Sequence, residues 1–154
     1  MLLVVLATAG AAPPGVPVHV EAAQVQYNNR NGEVVFVGAP LVRLTRENAV
    51  LLCRRLVAEN DEEGHIRRAV CTGDVKLTRG EKVVTCEKAT FENATSKVVC
   101  VGNPVLREGR SVMYGRELTY DLAEDRALLT QAHGTVIPRG NEIVKPPKSK
   151  GASP

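Results

Sequence analysis

Tryptophan is absent from this chain, and aromatic residues make up only 3% of its 154 residues. Long apolar stretches are missing as well, and the apolar run at the start, Leu2 to Ala7, is far shorter than the roughly 20 residues that a membrane-spanning helix needs. No segment shows sustained 3.6-residue periodicity. Val, Thr and Leu instead recur in short bursts that are broken by Gly, Asn and charged residues. This pattern favours an all-β protein with an aliphatic core.

Several kinds of functional motif are missing too. The net charge is only +3, and the basic residues are spread along the chain without aromatic stacking platforms, which argues against nucleic acid as a partner. The three histidines, His19, His65 and His133, have no Cys, Ser or carboxylate at a recognisable motif spacing, and there is no Gly-rich phosphate loop. We therefore expect neither an enzyme nor a bound cofactor.

The two ends of the chain differ from its middle in composition. Residues 1–12 contain an apolar run followed by Ala9, Gly10 and Ala11, a pattern typical of signal-peptide cleavage, although the basic start of such a peptide is missing. Residues 139–154 are rich in Pro, Lys and Ser, which predicts a disordered tail. The sequence thus predicts an exported protein with one folded domain at residues 16–138.

An internal repeat occupies the middle of the chain. Ala22, Cys53, Cys86 and Gly115 fall into register at separations of 31, 33 and 29 residues. Apolar residues lie two positions before each of them, and three and five positions after. The latter pairs are Val25 and Tyr27, Leu56 and Ala58, Ala89 and Phe91, and Leu118 and Tyr120. A strand keeps one face at every second residue, so a step of three requires an extra residue and predicts a bent strand.

Glycines mark a second set of bends. Gly38, Gly73 and Gly102, with a weaker counterpart at Gly134, each follow one apolar strand and precede another, and glycine within a strand is typical of a bend. Each unit is too small to bury its apolar face alone, so the units should stack on one another. We predict an antiparallel β jelly roll, in which stacked bent strands form a twisted, V-shaped β roll.

Four segments then carry a resemblance to a known family. They are VHVEA at 18–22, GEVVFVG at 32–38, GNPVLREG at 102–109 and GRELTYDL at 115–122. With these segments in this order, the chain resembles the OstA/LptA family of periplasmic lipopolysaccharide-transport proteins over residues 16–138. The resemblance implies a periplasmic jelly roll whose groove carries the acyl chains of lipid A from the inner to the outer membrane.

The same resemblance implies partners. Members of that family stack edge to edge with further copies, and with homologous jelly-roll domains of an inner-membrane-anchored component and of the outer-membrane translocon. Open sheet edges are normally a liability, but in a protein that joins others by strand addition they are binding sites. The candidate edges are residues 18–22 and 128–137.

The apolar positions of the repeat are candidates for the lining of a lipid-binding groove. They are Val18, Val20, Phe36, Val42, Leu51, Leu77, Val84, Phe91, Val98, Leu106, Met113 and Leu118. A filled aliphatic core shows the same pattern, so groove lining and core packing both stay open for each of them. A ligand held by such walls would be free to slide, because apolar burial is not directional.

Four cysteines, Cys53, Cys71, Cys86 and Cys100, all fall on the inward face of the repeat. In an oxidising compartment they would form two disulfides, with three possible connectivities. Buried free thiols that act as small apolar side chains fit the pattern equally well. A tetrahedral metal site is disfavoured because the spacings contain no Cys-x-x-Cys pair.

Two other functions fit the same repeat. One is a scaffold that polymerises through its edges and holds no ligand. The other is the equivalent domain of a sister transport component. Because this sequence shows neither a spanning helix nor a following barrel domain, we expect the free periplasmic carrier rather than a sister component.

Overall fold

The computed structural model describes residues 16–138, and every regular element in that range is a β-strand, as the sequence predicts. The strands are β1 (His19–Glu21), β2 (Gln24–Asn28), β3 (Glu33–Arg46), β4 (Ala49–Asn60), β5 (Ile66–Arg79), β6 (Lys82–Glu92), β7 (Lys97–Val101), β8 (Val105–Glu108), β9 (Ser111–Tyr114), β10 (Glu117–Asp121), β11 (Arg126–Thr130) and β12 (His133–Thr135). The predicted leader, residues 1–12, and the predicted tail, residues 139–154, lie outside the described residues.

Four of these strands, β3 to β6, are long and bent. Their antiparallel ladders shift register between Val37 and Val42, between Leu52 and Arg55, and between Thr72 and Val75. These shifts contain three of the predicted bend positions, Gly38, Cys53 and Gly73. An extra residue in one strand bends it, so the step of three in the sequence has the expected structural cause.

The remaining strands form four more bent units, each broken into two short pieces. The breaks fall at Ala22, Gly102 and Gly115, all predicted bends, and at Gln131, three residues before the predicted Gly134. Eight bent units thus build two half-sheets. The first half-sheet holds β1, β8, β9, β12, the later parts of β3 and β5 and the earlier parts of β4 and β6; the second holds the other pieces.

The apolar faces of the two half-sheets pack against each other. A cavity of only about 10 Å³ is lined by Leu51 and Leu77 from the first half-sheet and by Phe91 and Val98 from the second. Apart from Phe91, Tyr120 and the four cysteines, the surrounding core is aliphatic. This is the predicted β roll, closed by its own side chains at the centre.

Glycine is required at two of the bends for different reasons. A Cβ atom on Gly38 would lie 2.1 Å from the backbone carbonyl carbon of Leu41. Gly102 has a φ of +82°, which favours glycine, and its Cβ would lie 2.4 Å from a carboxylate oxygen of Glu87. The first bend needs close backbone approach, and the second needs the left-handed conformation as well.

The sheet has a free edge at each end. Within the described residues β1 and β2 pair only with β3, while β11 pairs only with β10 and β12 only with β9. Val25 and Tyr27 lie on the predicted inward face, since their direct cross-strand partners are Phe36 and Val34, but their side chains are 44% and 71% exposed. They belong to β2, an edge strand with no neighbouring strand on its outer side.

Candidate functional site

The twelve predicted groove residues divide into two groups by burial. Seven are at most 2% exposed and fill the centre of the roll; they are Val42, Leu51, Leu77, Val84, Phe91, Val98 and Leu118. The other five, Val18, Val20, Phe36, Leu106 and Met113, are partly exposed. The interior is therefore packed at its centre, and accessible apolar surface lies towards its two ends.

An open cavity of about 550 Å³ lies at the end of the roll that carries β1 and β2. Val18 and Val20 come from the first half-sheet, whereas Val34 and Phe36 come from the second, so the cavity lies between the two half-sheets. Three of the predicted groove residues are thus brought together here. Ile66 adds a further apolar wall that the sequence reasoning did not single out.

Leu106 and Met113 lie elsewhere, on β8 and β9. They are direct cross-strand partners on the first half-sheet. Neither of them lines the 550 Å³ cavity. The predicted groove residues therefore do not form one continuous open surface in this conformation.

Polar groups close one side of the cavity. Asn60, Asp61 and His65 come from the end of β4 and the following turn, and Asn93 comes from the turn after β6. The buried side-chain oxygen of Asn60 has no hydrogen-bond partner. The backbone N–H of His65 donates to Asp61 at 2.9 Å, and this bond is the main reason why the pKa of Asp61 is lowered. The cavity therefore has apolar walls and a polar rim, an arrangement that suits an amphipathic ligand.

The two half-sheets also meet at the strand ends that lie away from the bends. We call this line of contact the mouth. It is bridged by Arg46, Arg79 and the turns that face them. Arg46 ends β3 in the first half-sheet and is only 5% exposed. Its guanidinium donates to Asn93 Oδ1 at 3.1 Å and to Ser96 Oγ at 2.7 Å, both in the second half-sheet. It also lies over the ring of Phe91, 6.0 Å from the ring centroid.

Arg79 makes the second bridge of the mouth. It ends β5, 33 residues after Arg46 and at the same position of the repeat. Its guanidinium donates to the carbonyl oxygen of Leu122, and its Nε lies 3.8 Å from Asp125. Lys82 Nζ lies 3.8 Å from the same carboxylate. The sequence reasoning missed both arginines, although strand parity after Leu44 and Leu77 places them on the inward face.

Tyr120 supports the second bridge from inside the roll. Its side chain is fully buried, and its hydroxyl donates to Asp125. Burial, followed by the neighbouring Asp125 carboxylate, raises the pKa of Tyr120 well above its usual range. The hydrogen bond from Tyr120 is in turn the largest cause of the lowered pKa of Asp125.

Residues 16–138 meet the requirements of neither a metal site nor a membrane-spanning helix. No group of three His, Cys, Asp or Glu side chains in this range is placed to hold a metal ion. The same range contains no helix long and apolar enough to cross a membrane. Cys53 and Cys71 form a disulfide, one of the pairings that the sequence allows, while Cys86 and Cys100 are buried thiols.

Comparisons with known proteins agree with this architecture. The family model described as LptA/(LptD N-terminal domain) LPS transport protein matches residues 19–126, from the start of β1 to the start of β11. A sequence search of curated proteins gives no match. Among solved structures, the chain is similar to LptH, the LptA-homologous periplasmic component of the conserved lipopolysaccharide transport device of Pseudomonas aeruginosa. The TM-score is 0.68 at 13% identity, over 79% of this chain and 96% of that chain, so the likeness concerns the fold.

Proposed function

Because this chain belongs to the family of LptA and LptD N-terminal-domain LPS transport proteins, we propose that it is a periplasmic carrier that binds the acyl chains of lipopolysaccharide between its two half-sheets. The folded domain at residues 16–138 carries this function. The periplasmic location rests on the family and on the apolar start of the sequence.

The observation that carries the proposal is the open cavity at the β1–β2 end. Val18, Val20, Val34 and Phe36 line it from both half-sheets, and Asn60 adds an unpartnered polar oxygen at its rim. An acyl chain in this cavity continues inward along the apolar faces if the half-sheets move apart. Each methylene that leaves water contributes about 0.8 kcal/mol, so the walls hold a chain without a specific anchor.

Edge-to-edge assembly is the second part of the proposal. The free edges of the described range carry exposed apolar side chains, Tyr27 on β2 and Leu128 on β11, which are 71% and 64% exposed. Strand addition at these edges would satisfy the free backbone groups and cover the two side chains. Copies joined in this way place the cavity of one against the end of the next.

A photo-crosslinking amino acid at Phe36 tests the carrier. We expect a lipopolysaccharide adduct at Phe36, and no adduct at the matched control Val37, the next residue of β3, which points away from the cavity and is 39% exposed. The same crosslinker at Leu128 should capture a second copy of the chain. Assembly through Leu128 with no lipid adduct at Phe36 would support a scaffold without ligand and refute the carrier.

A further inference from the structure

The disulfide between Cys53 and Cys71 sits at a bend of the roll. It links β4 to β5, with the Cα atoms 5.6 Å apart. Leu56, three residues after Cys53, is the direct cross-strand partner of Cys71. At the bend the two strands lose their pairing: Leu52 pairs with Lys76 before it, and Arg55 pairs with Thr72 after it. Residues 53–54 therefore lie unpaired opposite residues 73–75.

Cys86 and Cys100 occupy the same place in the next repeat. Ala89, three residues after Cys86, is the direct partner of Cys100. The pairing of β6 with β7 ends at Lys88 and Val101, and its pairing with β8 resumes at Thr85. This bend leaves residues 86–87 opposite residues 102–104. Two unpaired residues thus lie opposite three, as they do at the first bend.

The local backbone repeats as well. The sulfur of Cys53 lies 3.2 Å from the carbonyl oxygen two residues ahead, and the sulfur of Cys86 lies 3.4 Å from its equivalent. Two residues after the second cysteine of each pair stands a glycine, with φ of +83° at Gly73 and +82° at Gly102. The residue after each glycine also has a positive φ, 48° at Asp74 and 53° at Asn103. The second pair therefore has the backbone geometry that already supports a disulfide in the first pair.

We propose that Cys86 and Cys100 form a second disulfide, equivalent to Cys53–Cys71, by exchange with a disulfide-bearing oxidant of the compartment in which the protein folds. The Cys86 thiolate attacks one sulfur of the oxidant and releases the first thiol. Cys100 then loses its proton and attacks the Cys86 sulfur, which releases the second thiol. Two protein S–H bonds are lost, one S–S bond forms, and the oxidant is reduced to two thiols.

The contacts of the two thiols favour this order of events. The Cys86 and Cys100 thiols are hydrogen-bonded, and this contact is the main cause of the lowered pKa of Cys86 and of the strongly raised pKa of Cys100. Cys86 is 8% exposed and lines an open surface cavity of about 360 Å³, whereas Cys100 has no exposed surface. Cys86 is thus the accessible thiol with more thiolate character, which is the property that an attacking cysteine needs.

The connectivity that pairs Cys71 with Cys86 and Cys53 with Cys100 fits the structure poorly. Cys71 and Cys86 lie on neighbouring strands, but the bend between them differs, since Val75 pairs directly with Cys86. Cys53 lies on β4 and Cys100 on β7, and these strands are separated by β5 and β6. Only the Cys86–Cys100 pairing repeats the geometry of the first bond.

Non-reducing peptide mapping tests the proposal on the intact chain. Trypsin cleaves after Lys and Arg, so each cysteine falls on its own peptide: 47–54, 69–76, 83–88 and 98–107. After refolding with oxidised glutathione and blocking with N-ethylmaleimide, we expect peptides 83–88 and 98–107 to be linked and no cysteine to carry the label. Labelled Cys86 and Cys100, or a link between 69–76 and 83–88, would overturn the proposal.

A double variant isolates the second bond. C53A/C71A removes the first disulfide, and its refolded chain should still show no free thiol when it is labelled in denaturant. The matched variant C86A/C100A should also show none, because it retains Cys53–Cys71. Two labelled thiols in C53A/C71A, together with none in C86A/C100A, would show that only the first pair is oxidised. The readout is independent of lipid binding, so it stands whether or not the proposed carrier function holds.

Discussion

Truncation of Arg46 to alanine should lower the free energy of unfolding by about 2–3 kcal/mol. Arg46 is almost fully buried, and it joins the first half-sheet to the turn between β6 and β7 across the mouth. No other described side chain donates to both Asn93 and Ser96. The variant therefore removes one complete bridge and leaves the strands on both sides intact.

The magnitude follows from the contacts of the guanidinium. Hydrogen bonds from a charged donor contribute about 1.5–3 kcal/mol each, and the lower value applies because Asn93 and Ser96 are only half-buried. Stacking over Phe91 adds about 1 kcal/mol. Removal of a buried charge recovers part of its desolvation cost, about 1–2 kcal/mol for a weakly hydrated guanidinium. The 3.7 Å ion pair with Glu47 is left out, because that carboxylate is 57% exposed.

Urea denaturation measures this difference, and Arg43→Ala is the matched control. Arg43 lies on the same strand, three residues earlier, but it is exposed on the opposite face. Its truncation should change the free energy of unfolding by less than about 0.5 kcal/mol. The slope of the transition should be the same for both variants. If R46A and R43A unfold at the same urea concentration, the reasoning about the mouth is refuted.

The same variant reports on the route of entry. If an acyl chain enters by parting the mouth, loss of 2–3 kcal/mol of closing energy can speed the association of a fluorescent fatty acid by up to about 30- to 150-fold. R43A should leave the rate unchanged. Lower stability of R46A with an unchanged association rate would show that chains enter through the cavity at the β1–β2 end instead.

Two further predictions concern a bend and the second bridge. Gly102→Ala should destabilise the protein by about 1–3 kcal/mol more than Gly80→Ala in urea. Both positions have positive φ, but a Cβ on Gly102 would meet Glu87, whereas a Cβ on Gly80 would have nothing within 4 Å. Equal losses of stability in the two variants would rule out the close contact as the cause. The hydrogen bond from Tyr120 lowers the pKa of Asp125, so the stability that this carboxylate contributes is complete above about pH 5 and is lost as the pH falls through its folded-state pKa. Tyr120→Phe should therefore weaken the dependence of the melting temperature on pH between about pH 5 and pH 2, and acid limbs of the same slope would contradict this.

The bends were predictable from sequence because their causes are local. A glycine with positive φ or a small residue at a corner is required by the backbone of a few neighbouring residues, as at Gly38 and Gly102. The repeat then fixes which side chains share a face. The same rule places Val25 and Tyr27 on the inward face but does not predict their exposure, since the inward face of an edge strand is covered only if another strand follows it.

The mouth and the cavity were not predictable for a different reason. Parity puts Arg46 inward, but its partners Asn93 and Ser96 lie 47 and 50 residues away and belong to the other half-sheet. Whether apolar side chains fill the space between two sheets or leave it open depends on how far apart the sheets stand. That distance depends on such long-range contacts, so a filled centre around Leu51 and an open end around Phe36 have the same sequence pattern.

The free energy of the bridges at the mouth can be compared directly with the free energy gained when an acyl chain is buried. The bridge made by Arg46 is worth about 2–3 kcal/mol, and Arg79, at the equivalent position, makes a similar one to Leu122 and Asp125. Each methylene buried returns about 0.8 kcal/mol, so about five to eight methylenes offset both bridges. In the proposed carrier, a chain longer than this gains more free energy from burial than the two bridges cost to break. A shorter amphiphile gains too little to keep the mouth open. The two arginines would thus select for chain length, and the apolar walls beyond them would leave a selected chain free to move along the roll.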